Sequence, residues 1–501
     1  MTGTDSRIAH HGFITLSVML ATTMQSLDTT IANVALPHIQ GSLAATMEQM
    51  TWVLTSYIVA VAIMTPLTGW LSGRVGRKKV FLASIAGFTI SSVLCGLAQS
   101  LPQIVLFRLL QGLSGAALVP LSQAILLDIN PPERHARAMS IWVMGVTVGP
   151  ILGPALGAWL TDNYSWRWVF YINVPIGVLS FLGLSTFLSE TDIKRGAFDF
   201  LGFATLGLGI GALQLMLDRG QLLDWFSSTE ILVEGAVAVI ALYLFAVHST
   251  TAREPFVDLR IFRDRNFAIG SVFIVVVGVL LFATLALLPP LLQDLLDYPV
   301  MTAGLLTAPR GIGTMTAMLV IGPLLKWLDA RWVIAAGLAV TAIAQWQMCG
   351  FYIGMPDRLV AWSGYVQGIG LGLAYVPLAT VTFSTLAPHF RNEGTAMFNL
   401  LRNVGSSVGI AAVQALFIRN SQIMHARLAE HVTAFGAQGV STMADTAALA
   451  SLNAQVSMQA TMIAYNNDFK LMLVMSVLAI GMVFLFRKPA APQDGVPIAA
   501  E

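Results

Sequence analysis

Long runs of apolar residues, broken by short polar segments, dominate the chain. A membrane-spanning helix needs about 20 mainly apolar residues. Fourteen runs meet this requirement, and they predict an all-α polytopic membrane protein. The predicted spans are 13–36, 50–71, 79–99, 102–127, 138–160, 167–188, 198–217, 230–248, 267–293, 301–326, 332–353, 359–386, 394–417 and 468–486.

An internal repeat divides the spans into two halves. The stretch from Gln111 to Pro120-Leu recurs about 256 residues later, from Gln367 to Pro377-Leu. Each copy falls in the fourth span of a six-span half, as expected of two parallel repeats. The predicted organisation is an N-terminal six-helix bundle (1–190), a two-helix insertion with a cytoplasmic linker (191–264), a C-terminal six-helix bundle (265–486) that includes an outer segment at 418–467, and a cytoplasmic tail (487–501).

The charges of the loops predict the orientation in the membrane. With the N-terminus placed in the cytoplasm, 18 of the 27 lysines and arginines fall on the cytoplasmic side, 6 on the outer side and 3 inside spans. Cytoplasmic loops carry an excess of these residues. We therefore expect both termini to be cytoplasmic, which agrees with an even number of spans.

Composition excludes several classes of function. The 501 residues are 56% hydrophobic and 11% charged, about half the charge of a soluble protein. The net charge of +1 argues against nucleic acid as a partner. Cys95 and Cys349 lie in separate apolar spans, which argues against a disulfide framework. The sequence has no Gly-Lys-Ser/Thr phosphate loop and no HExxH helix, so we predict no enzyme, no metal and no ATP-driven step.

The fifth span carries glycines at every fourth position, with prolines between them. A stride of four places all the glycines on one helix face, and both residue types are unfavourable in a water-exposed helix. The pattern predicts either a general small-residue packing stripe or a helix that bends and packs backbone to backbone in a transporter. The residues of this motif are Gly145, Gly149, Pro150, Gly153, Pro154 and Gly157.

Two charged residues inside spans are candidates for the coupling of transport to an ion gradient. An ionisable group at the centre of a bilayer costs at least about 2.5 kcal/mol and is a functional candidate by default. Asp28 lies in the first span and Arg108 in the fourth. We hypothesise that they communicate and that protonation of Asp28 weakens the coupling. The alternatives are a permanent structural ion pair or a local hydrogen bond of Asp28 at a helix end.

Further polar residues inside the spans predict a central substrate cavity. Arg310 and Arg402 are suited to an anionic substrate or a carboxylate in the cavity. The alternative for a neutral polar residue is a helix–helix hydrogen bond. The neutral candidates are Gln25, Asn33, Gln111, Gln214, Gln345, Gln367, Asn399 and Asn403.

Several motifs together resemble the major facilitator superfamily, in its fourteen-helix drug:proton antiporter branch (EmrB/QacA), and most closely the EmrB subgroup. The end of the first span, from Leu27 to Pro37, resembles that branch's first-helix signature. Arg108-Leu-Leu-Gln111-Gly resembles its proton-translocation motif, and the glycine–proline stripe resembles its antiporter motif. The segments that begin at Trp166 and Met216 are also similar. The resemblance implies a major facilitator fold with two six-helix bundles and two inserted helices.

The loop after the second span is similar to the superfamily's cytoplasmic gating loop. Its residues are Gly69, Arg74, Gly76, Arg77 and Lys78. The family motif usually carries an acidic residue where this chain has Gly73. We therefore expect the basic residues of the loop to find other partners.

The resemblance implies a proton-coupled multidrug efflux antiporter of the bacterial inner membrane. It would need no cofactor beyond the proton gradient and would export hydrophobic or amphipathic compounds by alternating access. It also implies a tripartite pump with a periplasmic EmrA-type adaptor and a TolC-like outer-membrane channel. The segment 418–467 is then a candidate adaptor contact, and the alternative for this segment is a solvated helical hairpin. The alternatives are a dedicated exporter of an anionic metabolite or fatty acid, a gradient-independent facilitator, and a sensor or scaffold without transport.

Overall fold

The computed structural model describes residues 11–131, 134–190, 198–387, 390–432 and 446–487. Helices account for nearly all of them, and no strand occurs in these ranges. The helices are α1 (His11–Leu43), α2 (Met47–Val75), α3 (Arg77–Leu97), α4 (Leu101–Gly115), α5 (Leu118–Ile129), α6 (His135–Asn163), α7 (Trp168–Tyr171), α8 (Asn173–Phe187), α9 (Phe200–Arg219), α10 (Thr229–Thr251), α11 (Arg265–Pro290), α12 (Val300–Trp327), α13 (Ala330–Met348), α14 (Asp357–Ser384), α15 (Arg391–Glu430) and α16 (Thr446–Met482). Beyond Arg487, the predicted tail lies outside the described residues.

Each predicted span coincides with a helical segment, α4 with α5 and α7 with α8 forming one span each. Twelve of these segments are long and apolar enough to cross a membrane. The other two are α1, which carries Asp28 among many hydroxyl and amide side chains, and α13, whose 19 residues include Arg331, Gln345 and Gln347. The polytopic helical fold is therefore confirmed, and the total of fourteen spans stays a prediction.

The helices pack into two groups that meet along two seams. In the first group α1 packs on α6 and α8, and α4 packs on α2 and α3. In the second group α14 packs on α12 and α13, and α15 packs on α11 and α16. Between the groups, α6 packs on α12 along one seam and α2 packs on α15 along the other.

The inserted helices α9 and α10 pack on each other, and α9 also packs on the second seam. α9 contacts both α2 and α15. Ser407 Oγ of α15 donates to Gln214 Oε1 of α9 at 2.9 Å. Gly207 and Gly211 of α9 face Ile63 of α2, which brings the two helices close together. α9 therefore touches one helix from each half.

Asp199 joins the two ends of the insertion. Its carboxylate accepts hydrogen bonds from the backbone nitrogens of Gly202 and Phe256, each at 2.9 Å, and lies 2.8 Å from His248 Nε2. Burial raises the pKa of Asp199, but these hydrogen bonds outweigh burial and leave the pKa below its ordinary value. The carboxylate thus caps α9 and fixes the segment that follows α10.

The outer segment 418–467 continues the neighbouring spans. The sequence predicts helical stretches at 419–432 and 443–465, and the structure has α15 running unbroken to Glu430 and α16 beginning at Thr446. The extensions contact each other, with His425 Nε2 3.1 Å from Asn453 Oδ1. The expected hairpin is thus built from prolonged span helices, while 433–445 lie outside the described residues.

Candidate functional site

A buried ion pair joins α1 and α4 in the N-terminal half. Asp28 is 0% exposed and Arg108 is 1% exposed. Arg108 Nη1 donates to Asp28 Oδ2 at 2.6 Å. A charge inside a membrane span is stabilised by an opposite charge, which explains why the two lie in contact. Their role in coupling stays a prediction.

Neutral side chains complete the hydrogen bonds of this pair. Gln111 Nε2 and Asn173 Nδ2 each donate to Asp28 Oδ1 at 2.9 Å. Arg108 Nη1 also donates to Gln111 Oε1 at 2.8 Å. The guanidinium carbon lies 4.2 Å from the centroid of the Tyr57 ring, a cation–π contact. Both charges are therefore satisfied without water.

The C-terminal half contains a neutral cluster at the equivalent positions. The repeat offset of 256 residues relates Asp28 to Thr284, Gln111 to Gln367, and Arg108 to Gly364. Gln367 Nε2 donates to Thr284 Oγ1 at 2.9 Å, and Gln345 Nε2 lies 3.4 Å from the same oxygen. None of these side chains is charged. The two halves therefore differ in charge at the positions that the repeat relates.

Arg310 is a buried cation of α12 that contacts α11 and α14 of the same half. Its side chain is 6% exposed. Nη2 donates to the Leu281 carbonyl at 2.8 Å, and Nη1 has no hydrogen-bond partner. The next residue, Gly311, packs on Ile151 of α6. Within the described ranges no carboxylate forms an ion pair with Arg310, so an anionic group would be stabilised beside it.

The other predicted residues of α15 lie at the second seam. Asn399 Nδ2 donates to Gln123 Oε1 of the N-terminal half at 2.9 Å. Arg402 lies 3.5 Å from both the Tyr375 hydroxyl and Asn403 Oδ1. The Asn399–Gln123 bond links the two halves, whereas both contacts of Arg402 lie within the C-terminal half.

The residues predicted to line one cavity therefore fall in several places. Gln111 belongs to the ion-pair cluster, Gln345 and Gln367 belong to the neutral cluster, and Gln214 joins the insertion to α15. Gln25 is buried one turn before Asp28, whereas Asn33 of the same helix is exposed.

The glycine stripe of α6 packs directly on α1. A Cβ added at Gly149 would lie 2.6 Å from the backbone nitrogen of Leu27, and one added at Gly157 would lie 3.0 Å from Ile31 Cγ1. The other two glycines of the stripe also face α1. On another side of α6, Pro154 lies against Gly304 of α12. The stripe thus brings two backbones together, and α6 contacts both halves.

Hydroxyl groups of α1 bind the carbonyls of α6 where proline interrupts the helix. Pro150 has no N–H, so the carbonyl of Val146 lacks its usual helical donor. Ser26 Oγ donates to that carbonyl at 2.5 Å, and Thr30 Oγ1 donates to the Gly149 carbonyl at 3.0 Å. The side chain of Pro150 lies outside the described part of the chain. These bonds join α6 to α1 at the positions where proline removes a backbone donor.

We expect Gly149→Ala to impair both folding and transport. The added methyl group would meet the backbone of α1 one residue before Asp28, and backbone cannot move aside as a flexible side chain can. Overpacking of this kind costs about 1–3 kcal/mol. Thermal unfolding of the purified protein and transport by proteoliposomes measure the two effects.

Gly145→Ala is the matched control. A Cβ there would lie 3.3 Å from the terminal methyl of Met19, which can rotate away. Equal losses in the two variants would contradict the close backbone contact as the cause.

Basic and acidic side chains join the two halves at the predicted cytoplasmic face. Asp128, at the end of α5, binds Arg77 at 2.5 Å and Arg391 of α15 at 3.0 Å. The sequence alone favours a hydrated helix end for Asp128, and the structure instead gives it two partners. Burial lowers the pKa of the neighbouring His135.

The gating-loop residues find partners despite the glycine at position 73. Gly76 has φ +104°, which L side chains rarely adopt. The Glu190 carboxylate lies against it and accepts from the backbone nitrogen of Lys78 at 3.0 Å. Lys78 Nζ donates to the Ser185 carbonyl at 2.7 Å, and Arg74 lies over the Trp70 ring. Gly69 is buried within α2.

Several residues of the site are missed by sequence reasoning. Asn173 and Ser92 complete the ion-pair cluster, Asn173 Nδ2 donating to Ser92 Oγ at 2.9 Å. Thr284 was detectable, because adding the repeat offset to Asp28 gives its position. A lone Asn or Ser in an apolar run carries no such signal.

No metal site is evident among the residues that the structure describes, since no group of three or more His, Cys, Asp or Glu side chains is placed to hold an ion. Cys95 and Cys349 are free, and Cys95 is buried beside the ion pair, its sulfur 3.7 Å from Gln111 Oε1.

The sequence matches the profile of the Major Facilitator Superfamily over residues 18–410. The fatty acid resistance protein FarB of Neisseria gonorrhoeae is 38% identical over 95% of this chain and 96% of its own length. The multidrug export protein EmrB of Escherichia coli K12 is 38% identical over 96% of each chain. The probable multidrug resistance protein EmrY of the same organism is 34% identical over 96% of each.

A solved structure has the same fold. The human organic anion transporter MFSD10 (TETRAN) superimposes with a TM-score of 0.60, covering 95% of this chain and all of that one, at 14% sequence identity. At that identity the likeness concerns the fold alone. Together with the two helix bundles and the buried charge pair, the profile and the relatives identify a transporter and not an enzyme. The chain belongs to the major facilitator superfamily, and within it to the EmrB subgroup.

Proposed function

We propose that this protein is a proton-coupled multidrug efflux antiporter of the bacterial inner membrane. The observation that carries the proposal is the Asp28–Arg108 pair, a titratable carboxylate held by a cation inside a helix bundle. The substrate class follows from the similar multidrug export proteins. Hydrophobic and amphipathic compounds are the substrates that such a protein would meet within the bilayer.

The chemistry of the pair supports coupling to protons. When a proton neutralises Asp28, Arg108 is left buried without its counter-ion, and an unpaired buried charge is unfavourable by several kcal/mol. That change favours a rearrangement of α4 relative to α1. Loss of the proton restores the attraction and favours the original arrangement.

The packing of α6 supports transmission of this change to the rest of the molecule. α6 touches α1 beside Asp28 through Gly149, and it touches α12 of the other half. The Asp128–Arg391 pair closes the seam at the predicted cytoplasmic face. Opening that face and closing the other would complete an alternating-access cycle.

Transport by purified protein in proteoliposomes tests the function. A fluorescent lipophilic substrate should accumulate against its gradient only when a pH gradient is imposed, and collapse of that gradient by a proton ionophore should release it. Equilibration that is independent of the gradient would favour a facilitator. Substrate binding without flux would favour a sensor or scaffold.

A second candidate is export of anionic amphipathic compounds such as fatty acids. The observation that favours it is Arg310, a buried guanidinium without a carboxylate partner in the described residues. One similar protein is named for fatty acid resistance. A carboxylate headgroup would supply both the missing charge and the missing acceptor for Nη1.

Arg310→Gln is expected to discriminate between substrate charges. A hydrogen bond to a charged group contributes about 1.5–3 kcal/mol, so export of a fatty-acid anion should fall by roughly 10- to 100-fold. Export of a lipophilic cation should be unchanged or faster. Arg358→Gln, at the N-terminus of α14, is the control. Equal losses for anion and cation would contradict a role in recognising the anion.

We also propose an EmrA-type periplasmic adaptor and a TolC-like channel as partners. The extensions of α15 and α16 support this, because they carry helix beyond the predicted spans on the predicted outer side. Replacing 430–460 by a short linker should abolish capture of the adaptor while membrane insertion persists. Undiminished capture would contradict this contact.

A further inference from the structure

Asp468 is a buried carboxylate that the ion-pair cluster does not include. It lies on α16 in the C-terminal half and is 1% exposed. Neither Oδ1 nor Oδ2 has a hydrogen-bond partner, and no lysine, arginine or histidine of the described ranges forms an ion pair with it. Asp28 by comparison accepts three hydrogen bonds from side chains, one of them from the Arg108 guanidinium, so the two carboxylates are held differently.

The neutral cluster lies one helical turn from Asp468 along α16. Met472 lies one helical turn along the same face of α16, and its sulfur is 3.6 Å from Thr284 Oγ1 of the neutral cluster. The amide oxygens of Gln345 and Gln367 in that cluster also lack a donor. A purely structural carboxylate would be paired here, because burying an unpaired polar group is unfavourable.

Few titratable groups act on this position. Tyr465 lies one turn earlier on α16 and interacts electrostatically with Asp468 and Asp294. Asp294 lies in the π-helical turn after α11. Cys349, after the end of α13, interacts electrostatically with Lys470 of α16.

We propose that Asp468 is a second proton-binding site, so that each transport cycle moves one proton through each half. The proposal rests on the proposed proton coupling and extends it to the stoichiometry. A bound proton neutralises the carboxylate and adds the donor that this region lacks. The position suits loading from outside, because Asp468 begins the last predicted span at its outer end.

The two halves would then bind protons by different means. In the N-terminal half a proton competes with Arg108 for Asp28. In the C-terminal half the proton itself is the partner of the carboxylate, and Gly364 stands where the repeat would place an arginine. The ionised form of Asp468 needs water or a cation to stabilise it. Asp468 would therefore release its proton only when the C-terminal half rearranges and supplies one of them.

Infrared difference spectroscopy of the purified protein tests protonation directly. The stretching band of a protonated carboxyl should appear at neutral pH in the wild type, be lost in Asp468→Asn and shift in Asp468→Glu. Asp294→Asn, which changes an exposed carboxylate nearby, should keep the band. A band that persists unchanged in Asp468→Asn would overturn the proposal.

The stoichiometry is measured separately, as accumulation of a neutral substrate in proteoliposomes at zero membrane potential. With two protons per substrate a tenfold proton gradient sustains about 100-fold accumulation, and with one proton about tenfold. We expect about 100-fold accumulation by the wild type and about tenfold accumulation by Asp468→Asn. Equal accumulation in both would overturn the role of Asp468 in coupling.

Asp28→Asn distinguishes this proposal from the proposed function. If Asp28→Asn still transports with the gradient, coupling through Asp28 fails, whereas the carboxyl band of Asp468 is unaffected. If Asp28→Asn is inactive but Asp468→Asn has wild-type stoichiometry and keeps the band, only the second site fails.

Discussion

Asp28→Asn is expected to abolish gradient-driven transport, with a decrease of at least about 100-fold, while substrate binding is kept. Because Arg108 then lacks its counter-ion, the variant should also be less stable than the wild type. Asparagine has nearly the same shape as aspartate, and its oxygen can still accept from Asn173. It cannot take up or release a proton, so the arrangement around Arg108 no longer responds to pH. The measurement is initial uptake by proteoliposomes with and without an imposed pH gradient, beside substrate binding in detergent.

The control for this experiment is Asp162→Asn, which removes an acid that is exposed at the end of α6. It should transport as the wild type does. Full gradient-driven transport by Asp28→Asn would assign the pair a structural role. It would direct attention to other acids, such as Asp128 and Asp218, the second of which lies near the end of α9.

Arg108→Gln is expected to have the largest effect on stability. It leaves the Asp28 carboxylate buried with neutral partners only, and removing one member of a buried pair costs about 3–5 kcal/mol. The midpoint of thermal unfolding should therefore fall sharply at neutral pH. The loss should be smaller in acid, where a proton can neutralise Asp28.

The double variant Asp28→Asn with Arg108→Gln separates folding from coupling. Because neither residue is then charged, most of the stability that Arg108→Gln loses should return, as a double-mutant cycle would quantify. Transport driven by the gradient should not return. A stable double variant with normal coupled transport would show that the pair only fixes the packing of α1 and α4.

The fold follows from the sequence because the bilayer imposes it. Backbone groups in lipid must bond within a helix, so a long apolar run has one available structure. The glycine stripe predicted a close helix contact. Glycines at every fourth position leave one face of the helix without side chains, so that another helix can approach its backbone. The pairing of Asp28 with Arg108 was predictable because two charges within spans are each unfavourable alone.

The distribution of the neutral polar residues could not be predicted in the same way. An amide in an apolar run is compatible with any rotation of its helix, and only packing decides whether it meets a cavity or a neighbour. Gln214 of the insertion binds Ser407 of the C-terminal half, and Asn399 binds Gln123 of the N-terminal half. Asp128 lies at a helix end, where the sequence offers no sign that Arg391, 263 residues away, approaches it.

The position of α9 makes the two seams between the halves unequal in their exposure to lipid. One seam between the halves, α2 against α15, lies behind the insertion, so a compound dissolved in the bilayer has no direct approach to it. The seam of α6 and α12 has no such cover in the described chain. Compounds that diffuse sideways out of the lipid would therefore enter from that side.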